Sequence, residues 1–259
     1  MRVTANMATF PARRATMLAA VASIARQVDR VNVWGNGYDR APAALKALPN
    51  VRFVPAGDCD LAGAGKFAFL ADTQQPDYYL SLDDDFIYPA DFAAQLCEAA
   101  GRFHAVTTLH GCRFRRPVRD YRQREVFGAL RHVAEHQIAE MGGTGLMCHR
   151  PAQMRLGLED FPHRYANDYD MMVASRRCNV PIVVLPHPAD YLIYTKPGGF
   201  NIYDGVTCPQ RKAFATAIED ALCGKPPRLP EIFGPLPAAT IRRAGQLLQD
   251  TELCNDRSA

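Results

Sequence analysis

The sequence predicts an α/β fold: a single domain on a mixed, mostly parallel central sheet, followed by a C-terminal helical extension. Three observations predict it. Strand, helix and strand patterns alternate through Trp34, the opening of a parallel wound sheet. Four strand-like runs then end in polar residues, at Thr9-Phe10-Pro11, Asn36-Gly37, Asp58 and Asp83-Asp84-Asp85, and wound sheets collect ligands at the carboxyl ends of their strands. Finally, 259 residues suffice for one large core.

The elements follow in order. Val3 to Phe10 reads as a strand stopped by Pro11, and Met17, Leu18, Val21, Ile24, Ala25 and Val28 recur at helical spacing. The strand Val31 to Trp34 runs into the glycine-rich turn Gly35-Asn36-Gly37-Tyr38-Asp39. Further strands are expected at Val51–Val54, Tyr78–Leu82 and Ala105–Leu109, with helices near Lys66–Thr73 and Asp91–Gly101. In the second half, six arginines crowd Arg113 to Arg124, and Glu125 to Met141 reads as helical. Gly142-Gly143-Thr144-Gly145 leads into Leu146-Met147-Cys148, Asn167 opens a helix through Cys178, and Ile182 to Leu185 is a short buried strand. Lys225 to Pro237 reads as a proline-rich linker and Ala238 to Gln249 as a terminal helix.

Composition narrows the function. A net charge of +3 carries no general nucleic-acid footprint. Eight dispersed cysteines without a CxxC pair read as reduced thiols, which places the protein in the cytoplasm. Arg2, Asn6 and Arg13-Arg14 interrupt the N-terminal apolar residues, so a signal-peptide core is not expected, and no apolar run is long enough to span a bilayer. Peripheral contact with the inner face of the membrane stays open through the arginine segment. No GxGxxG follows the first strand and no GxxxxGK[ST] occurs, so a dinucleotide fingerprint and a P-loop are both absent.

The triplet Asp83-Asp84-Asp85 carries the chemistry. Residues two apart on a strand lie about 6.6 Å apart on one face. Asp83 and Asp85 are therefore expected to converge while Asp84 turns away. Each close carboxylate pair repels by roughly 2 kcal/mol at an effective dielectric near 20, which a divalent cation reverses. Hard oxygen ligands suit Mg²⁺ or Mn²⁺, ions that commonly hold phosphates. The competing reading is that the acids cap the helix after Pro89 and face water. Four polar strand exits on one rim favour the metal.

In their order, several segments together resemble the GT-A-fold glycosyltransferases, Rossmann-like nucleotide-diphospho-sugar transferases, and within them the inverting, family-2-like bacterial enzymes of surface-polysaccharide biosynthesis. These are Thr9-Phe10-Pro11-Ala12-Arg13, Asn36-Gly37-Tyr38-Asp39, Gly63-Ala64-Gly65-Lys66-Phe67 and Leu82-Asp83-Asp84-Asp85, then Gly142-Gly143-Thr144-Gly145, Asn167-Asp168 and Val180 to Pro188. The resemblance covers residues 1–195, with 1–110 as the nucleotide-binding half, 111–195 as the acceptor and catalytic half, and 196–259 as the extension.

The resemblance implies a role for each of these positions. Thr9, Phe10, Pro11 and Arg13 wrap the base and ribose. Asn36 stands where an acidic base reader is common, Asp58 lies on the same rim, and Lys66 approaches the nucleotide. Asp83 takes the ribose side, Asp84 supports the site and Asp85 ligates Mn²⁺ or Mg²⁺, with His187 as a further metal ligand. Gly143, Thr144 and Gly145 form the turn beside sugar and acceptor. Asp168 is the catalytic base, with a helix cap as its structural alternative and Asp170 in reserve. The donor is a nucleoside-diphosphate sugar, a UDP-sugar first, and the acceptor a glycan or lipid-linked hydroxyl. The arginine segment is either a seat for an anionic acceptor or a solvated loop. A sugar-nucleotide nucleotidyltransferase and a non-catalytic nucleotide-sugar binder are the competing functions.

Overall fold

Strands β1 (Val3–Thr9), β2 (Arg30–Asn36), β3 (Val51–Gly57) and β4 (Tyr78–Leu82) lie parallel in the order β3-β2-β1-β4. The structure, a computed structural model, describes residues 1–72, 75–196, 208–225, 229 and 233–256. A 3-10 turn at Pro11–Arg13 leads from β1 into helix α1 (Arg14–Ile24). β5 (Phe86–Ile87), α2 (Phe92–Phe103), β6 (Val106–Thr108), β7 (Gly111–Phe114) and β8 (Arg124–Phe127) follow. Then come β9 (Gln137–Ala139), β10 (Met141–Gly142), β11 (Leu146–His149), α3 (Asn167–Arg177), β12 (Ile182–Val184) and β13 (Ile193–Tyr194). Helices α4 (Cys208–Leu222) and α5 (Ala238–Asp256) close the chain.

The central sheet has the order β3-β2-β1-β4-β11-β6-β12-β9. β11 runs antiparallel to β4 and β6, β12 parallel to β6, and β9 antiparallel to β12. A three-stranded sheet, β10-β7-β8, and the pair β13-β5 flank it. Because side chains alternate along a strand, neighbouring residues feed opposite faces. Val33, Leu80 and Cys148 join one apolar cluster with α1 and α2, while Trp34, Tyr79 and Met147 join another with the 3-10 helix Ala62–Ala71 and α5. Both faces are covered, so the strands are nearly continuously buried. Within α1 the buried Met17, Ala20, Val21 and Ile24 share one stripe. Trp34 is core, and Gly65 permits the 3-10 helix to lie on it: a Cβ there would stand 2.5 Å from the indole Cδ1.

A third cluster joins α3 and α4, with Tyr169, Met172, Phe214 and Ile218 packed beside Phe114 and Tyr121. Helix α4 thus packs against α3 as part of the domain, and no sequence pattern predicted it. Three other expectations need correction. Glu125–Met141 is three short strands rather than a helix. Its helical stripe is illusory, since Leu130 and Ile138 are 45% and 67% exposed while Val133 and Met141 are buried. Lys66–Thr73 is the end of the 3-10 helix, with Thr73 outside the described residues. The Lys225–Pro237 stretch lies partly outside them, and within it Phe233 and Leu236 are buried. Among the described residues no helix is long and apolar enough to cross a membrane, and Cys59, Cys97, Cys112, Cys148, Cys178 and Cys223 are free thiols.

Candidate functional site

The exits of β1 and β4 are tied together by one arginine. Arg13 Nη1 donates to Asp84 Oδ1 and to Asp85 Oδ2, both at 2.9 Å. Asp83 pairs instead with Lys66, and its backbone N–H bonds the Gly145 carbonyl at 2.9 Å. The expected convergence of Asp83 and Asp85 fails because β4 ends at Leu82, so strand alternation no longer governs the triplet. Capping fails as well: α2 starts at Phe92 behind Asp91, and the side chains of Asp84 and Asp85 are only 5% and 11% exposed. Burial, then the charges of Asp83 and Asp84, push the Asp85 carboxyl up to about 7 against the opposing pull of Arg13. Burial likewise raises Asp84.

Three carboxylates face two cations, and Asp85 Oδ1 is buried without a hydrogen-bond partner. This hard-oxygen, charge-excess set fits a divalent cation. His187 does not join it. The ring is buried, with Nδ1 2.8 Å from the Leu185 carbonyl and Nε2 3.3 Å from that of Gly128, and no group of three His, Cys, Asp or Glu side chains among the described residues forms a complete ligand set.

The remaining strand exits divide. Thr9 is buried, and after it Phe10 stands 42% exposed with the Arg13 guanidinium 5.4 Å from its ring centre, followed by exposed Pro11. Asn36 spends its amide inside the protein. Its Nδ2 donates to the carbonyls of Thr9 and Ala62, and its Oδ1 accepts from Trp34 Nε1 and the Leu61 N–H. Neither polar atom of the Asn36 side chain is left for a base. Asp58 turns outward to Arg243 on α5, at 2.5 and 3.0 Å, which holds its carboxyl below the usual range.

Asp168 sits one residue inside α3, whose N-cap is Ala166, so it is not the cap. Its Oδ1 accepts from both the backbone N–H and the hydroxyl of Thr144, each at 2.8 Å. Asp170, two residues on, points elsewhere: it is buried against His163 Nδ1 at 2.6 Å, and burial raises its carboxyl to about 6. The Gly143-Thr144-Gly145 turn is packed from both sides. A Cβ on Gly143 would meet the His110 side chain at 3.1 Å, and one on Gly145 the Asp83 carboxylate at 1.9 Å.

A cavity of about 500 Å³ brings Lys66, Asp83, Thr144 and Asp168 together. Phe10, Arg13, Asp84, Asp85 and Gly145 are not among its lining residues, nor are Asn36, Asp58 and His187. Sequence reasoning missed most of the remaining lining, which includes Tyr121, Arg164, Tyr169, Arg211, Phe214 and Phe233. No motif could have found these, since they meet only through the packing of α3 and α4. Arg122 and Arg124, at the end of the arginine segment, also line the cavity.

No family model and no curated protein sequence matches the chain. Solved structures do. S. aureus TarS 1-349 in complex with UDP-GlcNAc aligns with a TM-score of 0.54 at 12% identity, over 96% of this chain and 72% of that one. GalNAc-T7 with UDP, GalNAc and Mn²⁺ aligns with a TM-score of 0.54 at 10% identity over 84% of this chain, which spans about half of that one, 48%. Both neighbours are glycosyltransferases of the same sheet architecture. Strand order, polar exits and these alignments together give the chain the GT-A glycosyltransferase fold.

Proposed function

We propose that this chain is a metal-dependent, inverting glycosyltransferase that moves a sugar from a nucleoside-diphosphate donor, a UDP-sugar first, to a hydroxyl of a glycan or lipid-linked acceptor. The observation that carries the reading is that Asp168, held by Thr144, lines one cavity with Asp83 and Lys66 from the β4 side of a GT-A sheet. A carboxylate positioned to accept a proton and a charged strand exit positioned for a diphosphate are what sugar transfer requires.

In this reading the exposed Phe10 ring offers the nucleotide base a stacking face, and Lys66 adds positive charge on the diphosphate side. Asp85, whose Oδ1 has no hydrogen-bond partner, would ligate Mn²⁺ or Mg²⁺, whose Lewis acidity would stabilise charge on the departing diphosphate, with Asp83 on the ribose side. Fewer than three protein ligands suits an ion shared with phosphate oxygens. Asp168 takes the acceptor's hydroxyl proton as the acceptor oxygen bonds to the anomeric carbon. The carbon–oxygen bond to the diphosphate breaks on the opposite face, and the nucleoside diphosphate leaves with that electron pair. A positioned base is worth about 10²–10⁴-fold.

The test is a panel of nucleoside-diphosphate sugars with Mn²⁺, with and without hydroxyl acceptors, read as nucleoside diphosphate released and glycoside formed. Acceptor-dependent release with inverted product is the expected result. Nucleoside triphosphate formed from pyrophosphate and the donor would identify a nucleotidyltransferase. Donor binding without turnover would identify a binding protein.

A further inference from the structure

The geometry points to an anionic acceptor: the hydroxyl to be glycosylated is carried by a sugar or polyol bearing a phosphate or carboxylate, whose charge is received by Arg122 and Arg124 in the cavity they share with Asp168. This inference rests on the transferase reading for the meaning of "acceptor", and its physical basis is the cavity itself.

Among the cavity's lining residues, four arginines and Lys66 stand against two carboxylates, Asp83 and Asp168. Lys66 already pairs with Asp83, Arg164 with Asp60 and Arg211 with Asp120, so the excess positive charge belongs to Arg122 and Arg124. They do not come from the strand exits that form the donor side. Arg122 and Arg124 belong to the β7–β8 connection and the start of β8, and Arg211 lies on α4. Aromatic packing fixes this wall. The Arg124 guanidinium lies 3.7 Å from the Tyr121 ring centre and bonds the Tyr121 carbonyl, while Phe214 packs 4.9 Å from Tyr121 and 5.7 Å from Tyr169. The Arg122 side chain makes no hydrogen bond or ion pair among the described residues, and it is exposed. Guanidinium groups recognise phosphate and carboxylate through paired hydrogen bonds, and aromatic faces suit the carbon-bound hydrogens of a sugar ring. A neutral acceptor would gain nothing from the Arg122 charge in the cavity that it shares with Asp168. An anionic one answers it and presents its hydroxyl toward Asp168.

Calorimetric titration of the full chain, with UDP held at saturation to occupy the diphosphate site, tests this with glucose, glucose 6-phosphate, glucuronate and inorganic phosphate as probes. The anions are expected to bind at least about tenfold more tightly than glucose, in a salt-sensitive manner, with Arg122→Ala weakening them about 10- to 100-fold and leaving UDP affinity unchanged. Tight binding of the two phosphates alone assigns a phosphate-bearing acceptor, and equal binding of glucuronate assigns the anion in general. If no anion binds more tightly than glucose, or if Arg122→Ala weakens UDP instead, the inference is wrong. Anion binding in a chain that binds no nucleotide would overturn the transferase reading and leave the anion site standing.

Discussion

Thr144 donates both its backbone N–H and its hydroxyl to one oxygen of Asp168, at 2.8 Å each, and so fixes the carboxylate beside the cavity. Removing the hydroxyl bond leaves the backbone bond, and the side chain gains freedom without leaving the site. Thr144→Val is expected to lower kcat about tenfold with donor KM unchanged, and Thr144→Ser to retain activity. Steady-state kinetics over both substrates checks the split.

Asp168→Asn keeps the shape and removes the base. Transfer is expected to fall by about 10²–10⁴-fold while UDP binding by calorimetry stays at the wild-type level. Normal transfer in this variant would move the role elsewhere. Asp170 would then be the next substitution, although its bond to His163 argues against it.

The Asp84–Arg13–Asp85 clamp makes a metal prediction. For the wild-type protein, UDP with Mn²⁺ at about a hundredfold over Kd should raise Tm by about 5–10 °C above the unliganded protein. Asp85→Ala should lose the Mn²⁺-dependent part of that increment, and chelation should remove it from the wild type. An increment that survives the substitution would return Asp85 to a structural role.

Gly145 separates stability from function. The group a Cβ would strike is the end of the Asp83 side chain, which is 44% exposed and can turn toward solvent only by leaving the buried Lys66 ammonium. Gly145→Ala should therefore lose only about 1–3 kcal/mol of stability in urea while weakening UDP-sugar binding through the displaced Asp83 and Lys66. A large loss of stability with donor binding intact would contradict this placement.

His149 sets a pH limit on the fold. It is fully buried beside Tyr79, neither ring nitrogen has a partner, and burial lowers its pKa to about 4 from 6.5. Since the unfolded chain takes up the proton first, its contribution is intact above pH 6.5 and declines as pH falls toward 4, by about 3 kcal/mol in all. His149→Phe should abolish that component, seen as a flatter dependence of the urea midpoint on pH between 6.5 and 4.

The first half of the fold was legible because its strands are apolar runs punctuated by polar exits, and each of β1 to β4 lies where the pattern predicts it. The second half was not, because strands of two to four residues are too short to show a period, and Leu130 and Ile138 completed a helical stripe that the structure places in solvent. Of the cavity's lining residues, Asp168, Thr144, Lys66 and Asp83 belong to local motifs of the sequence. Asn36 and Asp58 misled because a polar residue at a strand exit serves a buried hydrogen-bond network or a surface ion pair equally well. Arg211 and Phe214 have no local signature at all.

The late position of α4 in the chain governs when the site can exist. Phe214 must reach back to Tyr121 and Tyr169, and Arg52 on β3 bonds the Leu248 carbonyl 196 positions downstream. Such distant contacts form slowly, after the entropy of the intervening chain has been lost. On the ribosome, the sheet can begin to assemble while the cavity still lacks one side. The Phe114, Tyr121 and Tyr169 surfaces stay wet until α4 emerges, which makes the interval before residue 222 the one in which a stalled or cleaved chain is most prone to aggregate.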